Sequence, residues 1–348
     1  MKKRRILFYL PEGFIGGAET HAIGLACGLS PDRFDCRVVS RLLEPAYHEL
    51  KSNTARRIPW LEVADESALE EAVRVITPDV ILSFHQDSIQ RIIEKLRLTS
   101  RLIEISHCSH SWARDITKTS KSRVDAIVSV SETAYRFASA GLPDWSGRHQ
   151  LIWNGVRDPI GNQEMERTRG SERVEILTVG RMDLEGKKLI ELIDGVRRAG
   201  LRSGRCWGLT LLGDGPDLEI LRSYSDALAP SEIRLPGFVS DPLEWYLRSD
   251  LYVSRSEFEG FGLSIAEAGM AGLPVVMWDC GGISSTMAGN QGVELVASQD
   301  GFEDALFRLI MDDGLRSRMG RENRRQITSL FSMEAMVASY ETLIESLC

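Results

Sequence analysis

The sequence predicts an α/β protein made of two doubly wound parallel sheets. Short β-rich runs alternate with longer amphipathic runs from Ile6 to Met277, the pattern of repeated strand–helix units. One polar stretch, Arg157–Arg173 with Pro159, Gly161 and Gly170, interrupts the alternation near the middle. The chain of 348 residues is long enough for two or three domains, each with its own core.

In the first half, Ile6–Leu10 reads as a buried strand, followed by a glycine-containing loop and a helix from Ala18 to Leu29. Cys36–Ser40 is a second strand. Ser67–Ile76 is a helix closed by Pro78. Strand Val80–Phe84, helix Ile89–Leu98 and strand Leu102–Ser106 follow, then strand Ala126–Val130 and a helix from Glu132 to Ala140. Leu151–Trp153 closes this half. Alternation resumes with strand Ile176–Val179, helix Leu189–Ala199, strand Leu209–Leu212 and helix Leu218–Leu228. Strand Leu251–Ser254, helix Ser264–Met270 and strand Pro274–Met277 complete it. The expected division is residues 1–156, a linker over 157–172, a second domain over 173–330, and a terminal segment 331–348. Open sheets of this kind bind ligands beyond the carboxyl ends of their strands, so a cleft between two such domains is the expected site.

Composition narrows the function. Hydrophobic residues make up 43% and charged residues 26%, which excludes a disordered or fibrous chain. The net charge of -8 argues against a protein that coats nucleic acid. That charge is uneven: residues 1–154 carry 21 Lys+Arg and 19 Asp+Glu, residues 155–348 carry 21 and 31. The six cysteines form no C-x-x-C pair, so neither a zinc site nor a disulfide framework is expected, and a reducing compartment is the simplest setting. The apolar run after Met1–Arg5 stops at Pro11, too soon for a signal peptide, and no run reaches the length of a membrane span. The expectation is a cytoplasmic protein.

Four stretches carry chemistry. The first is S-E-F-E-G-F-G-L-S-I-A-E-A from Ser256, which follows a strand and opens a helix. Gly260 and Gly262 let backbone approach a ligand, and amides at the helix start suit a phosphate. Glu259 and Glu267, eight positions apart, could face one cleft and accept hydrogen bonds from sugar hydroxyls. The second is V-G-R-M-D-L-E-G-K-K over Val179–Lys188. Arg181 and Lys187 could converge there on a diphosphate, although the adjacent Lys188 competes with Lys187 for that role. The third is F-I-G-G-A-E-T, with Gly16 and Gly17 between a strand and a helix but without dinucleotide-fingerprint spacing. G-D-G-P at Gly213–Pro216 also fails that pattern and reads as turn chemistry. The fourth is I-S-H-C-S-H-S-W, which puts His107 or His110 at the carboxyl end of a strand. The chain contains no D-x-D, so no carboxylate pair for a divalent metal is evident.

In this order the stretches resemble a retaining glycosyltransferase with the GT-B fold, of glycosyltransferase family four. The landmarks are G-G-A-E at Gly16–Glu19, S-V-S-E at Ser129–Glu132, N-G-V at Asn154–Val156 and V-G-R-M followed by a lysine. They continue with L-L-G-D-G-P at Leu211–Pro216 and E-G-F-G-L-S-I-A-E-A from Glu259. The resemblance implies that Arg181 and Lys187 neutralise the donor diphosphate and that Glu267 holds the nucleotide ribose. It also implies that Glu259 with the amides of Gly260, Phe261, Gly262 and Leu263 holds sugar and phosphates. Phe238 and Val239 would line the nucleobase pocket, Gly16 and Gly17 would face both substrates, and His107 would lie near the transferred sugar. The segment from Phe331 matches a terminal helix that returns to the first domain. Ser284 and Ser285 stand where the family often has proline and glutamate, and E-G-K-K replaces the commoner K-G.

The implied reaction is transfer of a hexose-like sugar from a nucleotide diphosphate sugar to a saccharide, lipid-linked or other hydroxyl acceptor, with no cofactor and no metal. Such a reaction belongs to cell-surface glycan or glycoconjugate synthesis. A nucleotide-sugar epimerase, a glycogen-synthase-like polymerase and a catalytically silent nucleotide-sugar-binding protein are the rivals on the same fold. Arg91, Lys95, Arg97 and Arg101 flank apolar Ile92, Ile93, Leu96 and Leu98, so Ile89–Arg101 could rest on an anionic membrane or pack on a core with a solvated basic face. Trp112, Arg114, Lys118, Lys121 and Arg123 are candidate contacts to an anionic acceptor.

Overall fold

The computed structural model describes residues 2–84, 87–107, 123–141, 145, 147–161, 172–229 and 231–348. His110, Trp112, Arg114, Lys118 and Lys121 lie outside the described residues. The chain divides into two compact units, one of Met1–Gly155 with Met333–Cys348 and one of Val156–Ser332.

The first unit contains a seven-stranded parallel sheet in the order β3-β2-β1-β4-β5-β6-β7. Its strands are β1 Arg4–Leu10, β2 Phe34–Arg41, β3 Trp60–Val63, β4 Val80–Ser83, β5 Arg101–Ser106, β6 Ala126–Ser129 and β7 Arg148–Leu151. Its helices are α1 Gly17–Gly28, α2 His48–Ala55, α3 Glu66–Ile76, α4 Asp87–Lys95 and α5 Glu132–Gly141. Ile6 to Leu10 are all buried because helices cover both faces of the central strand, which is why the run is continuously apolar. α3 shows the local logic of a covering helix. The Asp65 carboxylate accepts from the Ala68 amide at 2.8 Å and caps the start. Leu69, Ala72, Val73 and Ile76 then bury one face at helical spacing. Left-handed Thr77, ahead of Pro78, ends the helix.

The second unit contains a six-stranded parallel sheet in the order β10-β9-β8-β11-β12-β13. The strands are β8 Arg173–Val179, β9 Cys206–Leu212, β10 Ile233–Gly237, β11 Leu251–Ser254, β12 Val275–Trp278 and β13 Val293–Val296. The helices are α6 Leu184–Lys187, α7 Leu189–Ser203, α8 Leu218–Leu228, α9 Leu243–Arg248, α10 Leu263–Met270, α11 Ile283–Met287, α12 Gln299–Met311 and α13 Asp313–Leu330. This is the doubly wound order in which the switch point lies between β8 and β11. The last helix, α14 Met333–Leu347, packs on α1 of the first unit.

Three sequence expectations change. The start of the 157–172 stretch is held to the second unit: the Arg324 guanidinium pairs with Asp158 at 2.9 Å and donates to the Gly161 carbonyl at 2.8 Å. Phe331, expected to open the terminal helix, instead accepts from the Val156 amide at 2.9 Å, and the helix begins at Met333. The apolar face of α4 is spent inside the first unit, where Ile89, Ile92 and Ile93 are buried, and its Lys95 pairs with Glu70 at 2.6 Å. It has no apolar face left for a membrane. No helix among the described residues is long and apolar enough to cross a membrane.

Candidate functional site

The richest constellation stands at the carboxyl ends of β8 and β11 in the second unit. A shallow hollow is lined there by Gly180, Arg181, Lys187, Tyr252, Arg255 and Glu259, among others. The loop that carries Arg181 is shaped by G-D-G-P. Gly213 has φ +146°, and a Cβ there would lie 1.9 Å from the Gly180 carbonyl oxygen. A Cβ on Gly215 would lie 2.5 Å from the Met182 carbonyl oxygen. The motif is therefore a backbone seat beneath the Arg181 loop, which agrees with its reading as turn chemistry.

α6 follows at once. Asp183 caps it by accepting from the amides of Glu185 and Gly186 at 3.0 and 3.1 Å. Left-handed Lys188, φ 47°, ends it and starts α7. That bend separates the two lysines. Lys187 enters the hollow and donates to Glu259 Oε1 at 2.6 Å, whereas Lys188 lies 3.4 Å from Glu257. The structure thus distinguishes the neighbours that the sequence left open, and Lys187 is the one beside Arg181.

The Glu259 loop is pinned from two sides. The Glu257 amide donates to the Gly186 carbonyl at 3.0 Å and ties it to α6. Gly282, φ 55°, passes so close that a Cβ would lie 1.8 Å from the Glu259 carbonyl oxygen. Gly282→Ala is therefore expected to destabilise the protein by at least ~2 kcal/mol, from overpacking combined with a left-handed φ. Thermal unfolding checks this: an unchanged midpoint would mean that the loop relaxes freely. Gly260 and Phe261 continue the loop, and Gly262, φ 77°, is the N-cap of α10, whose first residue is Leu263. Cys280 lies nearby, but burial pushes its thiol up to about 12, so it stays protonated and is a poor nucleophile.

Glu267 projects from α10 into a second hollow, with Arg157, Asp241 and Tyr246 among its lining residues. The two glutamates therefore line different hollows, because Glu259 belongs to the loop and Glu267 lies a full turn inside the helix. The Tyr246 hydroxyl donates to Glu267 Oε2 at 2.8 Å. Desolvation still raises the Glu267 carboxyl to about 7, aided by the charge on Asp241. Phe238 and Val239 follow β10 directly, at the carboxyl end of the same sheet.

Sequence reasoning missed Arg255, Tyr246 and Asp241. Arg255 directly follows β11, and its guanidinium lies 3.1 Å from the centroid of the Trp278 ring. Its position after a strand was a usable signal. Tyr246 and Asp241 gave none, since only the fold brings α9 against α10.

In the first unit, Gly16 and Gly17 open α1 after β1, and the Gly16 amide donates to Glu19 at 2.9 Å. His107 follows β5. All strands run parallel, so these groups share the carboxyl edge of the sheet. His107 meets the His21 ring at 5.1 Å and the Phe84 ring at 5.4 Å between centroids.

Residues 173–312, most of the second unit, match the family described as glycosyl transferases group 1. Among curated relatives, the N-acetyl-alpha-D-glucosaminyl L-malate synthase of Bacillus anthracis is 31% identical over 138 residues, 39% of this chain and 36% of that protein. The lipopolysaccharide core biosynthesis glycosyltransferase LpsE of Rhizobium meliloti is 29% identical over 174 residues, 49% of each chain. The matches thus span less than half of either relative. Likeness in structure is broader. The crystal structure of Anabaena Alr3699/HepE in complex with UDP and glucose matches with a TM-score of 0.79 at 16% identity, covering 99% of this chain and 100% of that one. The apo lipopolysaccharide outer core galactosyltransferase WaaB matches with a TM-score of 0.67 at 17% identity, again covering 99% and 100%. The fold is GT-B. Within that GT-B fold, the hollow holding Arg181, Lys187 and Glu259 lies in the stretch 173–312 that matches the group 1 family, and the Gly16–Gly17 and His107 positions lie in the other unit.

Proposed function

We propose that this protein is a retaining glycosyltransferase that moves a hexose-like sugar from a nucleotide diphosphate sugar to an acceptor hydroxyl, without a metal ion. The observation that best supports this is the convergence of Arg181 and Lys187 with Glu259 in one hollow of a group 1 domain. Two cations beside one carboxylate suit a diphosphate whose charge grows as it leaves. Lys187 pairs with Glu259 in the same hollow. Glu267 takes the ribose hydroxyls, Phe238 and Val239 the base, and the amides from Gly260 to Leu263 the sugar and phosphates.

The bond from the anomeric carbon to the diphosphate oxygen breaks, and the acceptor oxygen bonds to that carbon on the same face. The acceptor proton passes to the departing phosphate oxygen. The first unit takes the acceptor, with Gly16, Gly17 and His107 facing the transferred sugar. Relatives named as lipopolysaccharide glycosyltransferases support an acceptor in a cell-surface glycan or glycolipid. Synthesis of such a precursor at the cytoplasmic side, with peripheral contact to the inner membrane face, follows from that acceptor.

The test is turnover with UDP-, GDP-, ADP- and TDP-sugars against an acceptor panel, with and without chelator, reading the product anomer by NMR. Nucleoside diphosphate release with a retained anomeric centre is expected. Sugar interconversion without acceptor would identify an epimerase, and donor binding with no turnover a silent binding protein. An inverted anomer would overturn retention, and loss with chelator would overturn metal independence.

A further inference from the structure

His107 does not stand alone at the edge of its sheet. One turn into α1, His21 is 3% exposed, and its Nε2 lies 3.2 Å from the hydroxyl of Tyr340, which is fully buried on α14. Asn154, itself 1% exposed, is a polar neighbour of the same ring. The His21 and His107 rings meet edge to face, 77° apart, and Phe84 lies tilted at 39° to His107. We propose that His21 is a positioning residue for His107, anchored from the terminal helix by Tyr340. The inference rests on the reading that His107 serves the transfer step.

First, the pair is costly as mere filling. Two apolar side chains would occupy the space without removing an imidazole and a phenol from water. Second, α14 is held close enough to act as an anchor. Gly24 and Gly28 leave it room, and a Cβ on Gly28 would meet Val337 at 2.6 Å. Glu341 of α14 accepts from the Ser30 amide at 3.0 Å and from Arg33 at 2.8 Å. Third, burial lowers the His21 pKa to about 4, so its ring is neutral at neutral pH. It is a fixed wall against His107 and adds no charge of its own. α1 thereby carries both the Gly16–Gly17 loop and the ring that meets His107, and α14 packs on that helix.

A double-mutant cycle tests this with the full chain and the best donor and acceptor pair. His21→Ala is expected to lower kcat about 100-fold and Tyr340→Phe about 10-fold, the scale of a misplaced reacting group. Donor KM and affinity for the donor's nucleoside diphosphate should stay within about twofold, because the donor is assigned to the other unit. His21→Gln, which can still bond Tyr340, should recover part of the loss. The deciding measurement is His21→Ala made in a His107→Ala background, where it should cost nothing further. If the two losses multiply, His21 does not act through His107 and the inference fails. Full kcat in His21→Ala or Tyr340→Phe would also overturn it. If His21→Ala does not fold, Tyr340→Phe, which keeps both rings, runs the same cycle. Full activity in His107→Ala alone would instead overturn the reading on which the inference rests.

Discussion

Lys187→Ala is expected to lower kcat by about 10²–10³-fold, the scale of removing one preorganised group that stabilises developing charge. The ammonium is half-buried, at 27% side-chain exposure, in a hollow it shares with Arg181. Water there screens a phosphate poorly, so its removal costs more than at an open surface. Lys188→Ala is the internal control. Lys188 pairs with Glu257 and does not line the hollow, so its loss should leave kcat within about threefold. Steady-state kinetics on both variants decides the matter. Equal losses would mean that the register read from the α6–α7 bend is wrong. Full activity in Lys187→Ala would remove the diphosphate assignment itself.

Glu267→Gln is expected to do two opposite things. The Glu267 carboxyl has its pKa raised to about 7, against an ordinary 4.5, first by desolvation and then by Asp241. Between those values the native chain binds more protons than the unfolded one. This group's contribution to stability is therefore fully present below pH 4.5 and is lost as pH rises to about 7. A neutral glutamine avoids the loss and still accepts from the Tyr246 hydroxyl. The variant should unfold at the wild-type temperature near pH 4 and a few degrees higher at pH 8. Affinity for the donor's nucleoside diphosphate should move the other way. A neutral amide still accepts from a hydroxyl but about 1 kcal/mol less firmly per hydrogen bond than an ionised carboxylate, so the variant should bind it ~5–10-fold more weakly at pH 8. Wild-type affinity should itself rise as pH passes through about 7. Calorimetric titration and thermal melts from pH 4 to pH 8 supply both readings. Unchanged affinity for the donor's nucleoside diphosphate would show that the second hollow is not the ribose site.

The interior strands and their helices were legible because their apolar periodicity is strong. Leu218–Leu228 and Leu251–Ser254 occur at the residues expected. One missed helix, α12, was legible, since Phe302, Ala305, Leu306, Leu309 and Ile310 are buried at helical spacing; the other elements missed have weak or mixed patterns. β3, with Leu61 48% exposed, and β13, V-E-L-V, are short edge strands that face solvent, and β10 carries Pro236. α13 is polar along most of its length, with only Met319, Gly320, Asn323 and Ile327 buried. It packs because Gly320 lets it touch the Gly272 carbonyl and because Asn323 donates to the Leu273 carbonyl at 2.8 Å. Neither reason has a period that a sequence can show.

The sequence by itself determined the α/β class, the two runs of strand–helix units and the ordered motifs that brought Arg181, Lys187, Glu259 and Glu267 into question. Those rest on local physics: apolar period, glycine punctuation and charge placed at the ends of strands. Only the tertiary structure decided that Lys187 rather than Lys188 enters the hollow, through a left-handed bend of one residue. It alone separated Glu259 from Glu267 and gave the latter Tyr246 and Asp241 as neighbours. It also joined His21 to Tyr340, 319 positions away. A chain specifies such neighbours only through the packing of whole helices, and a side chain's direction and desolvation exist only once that packing is complete.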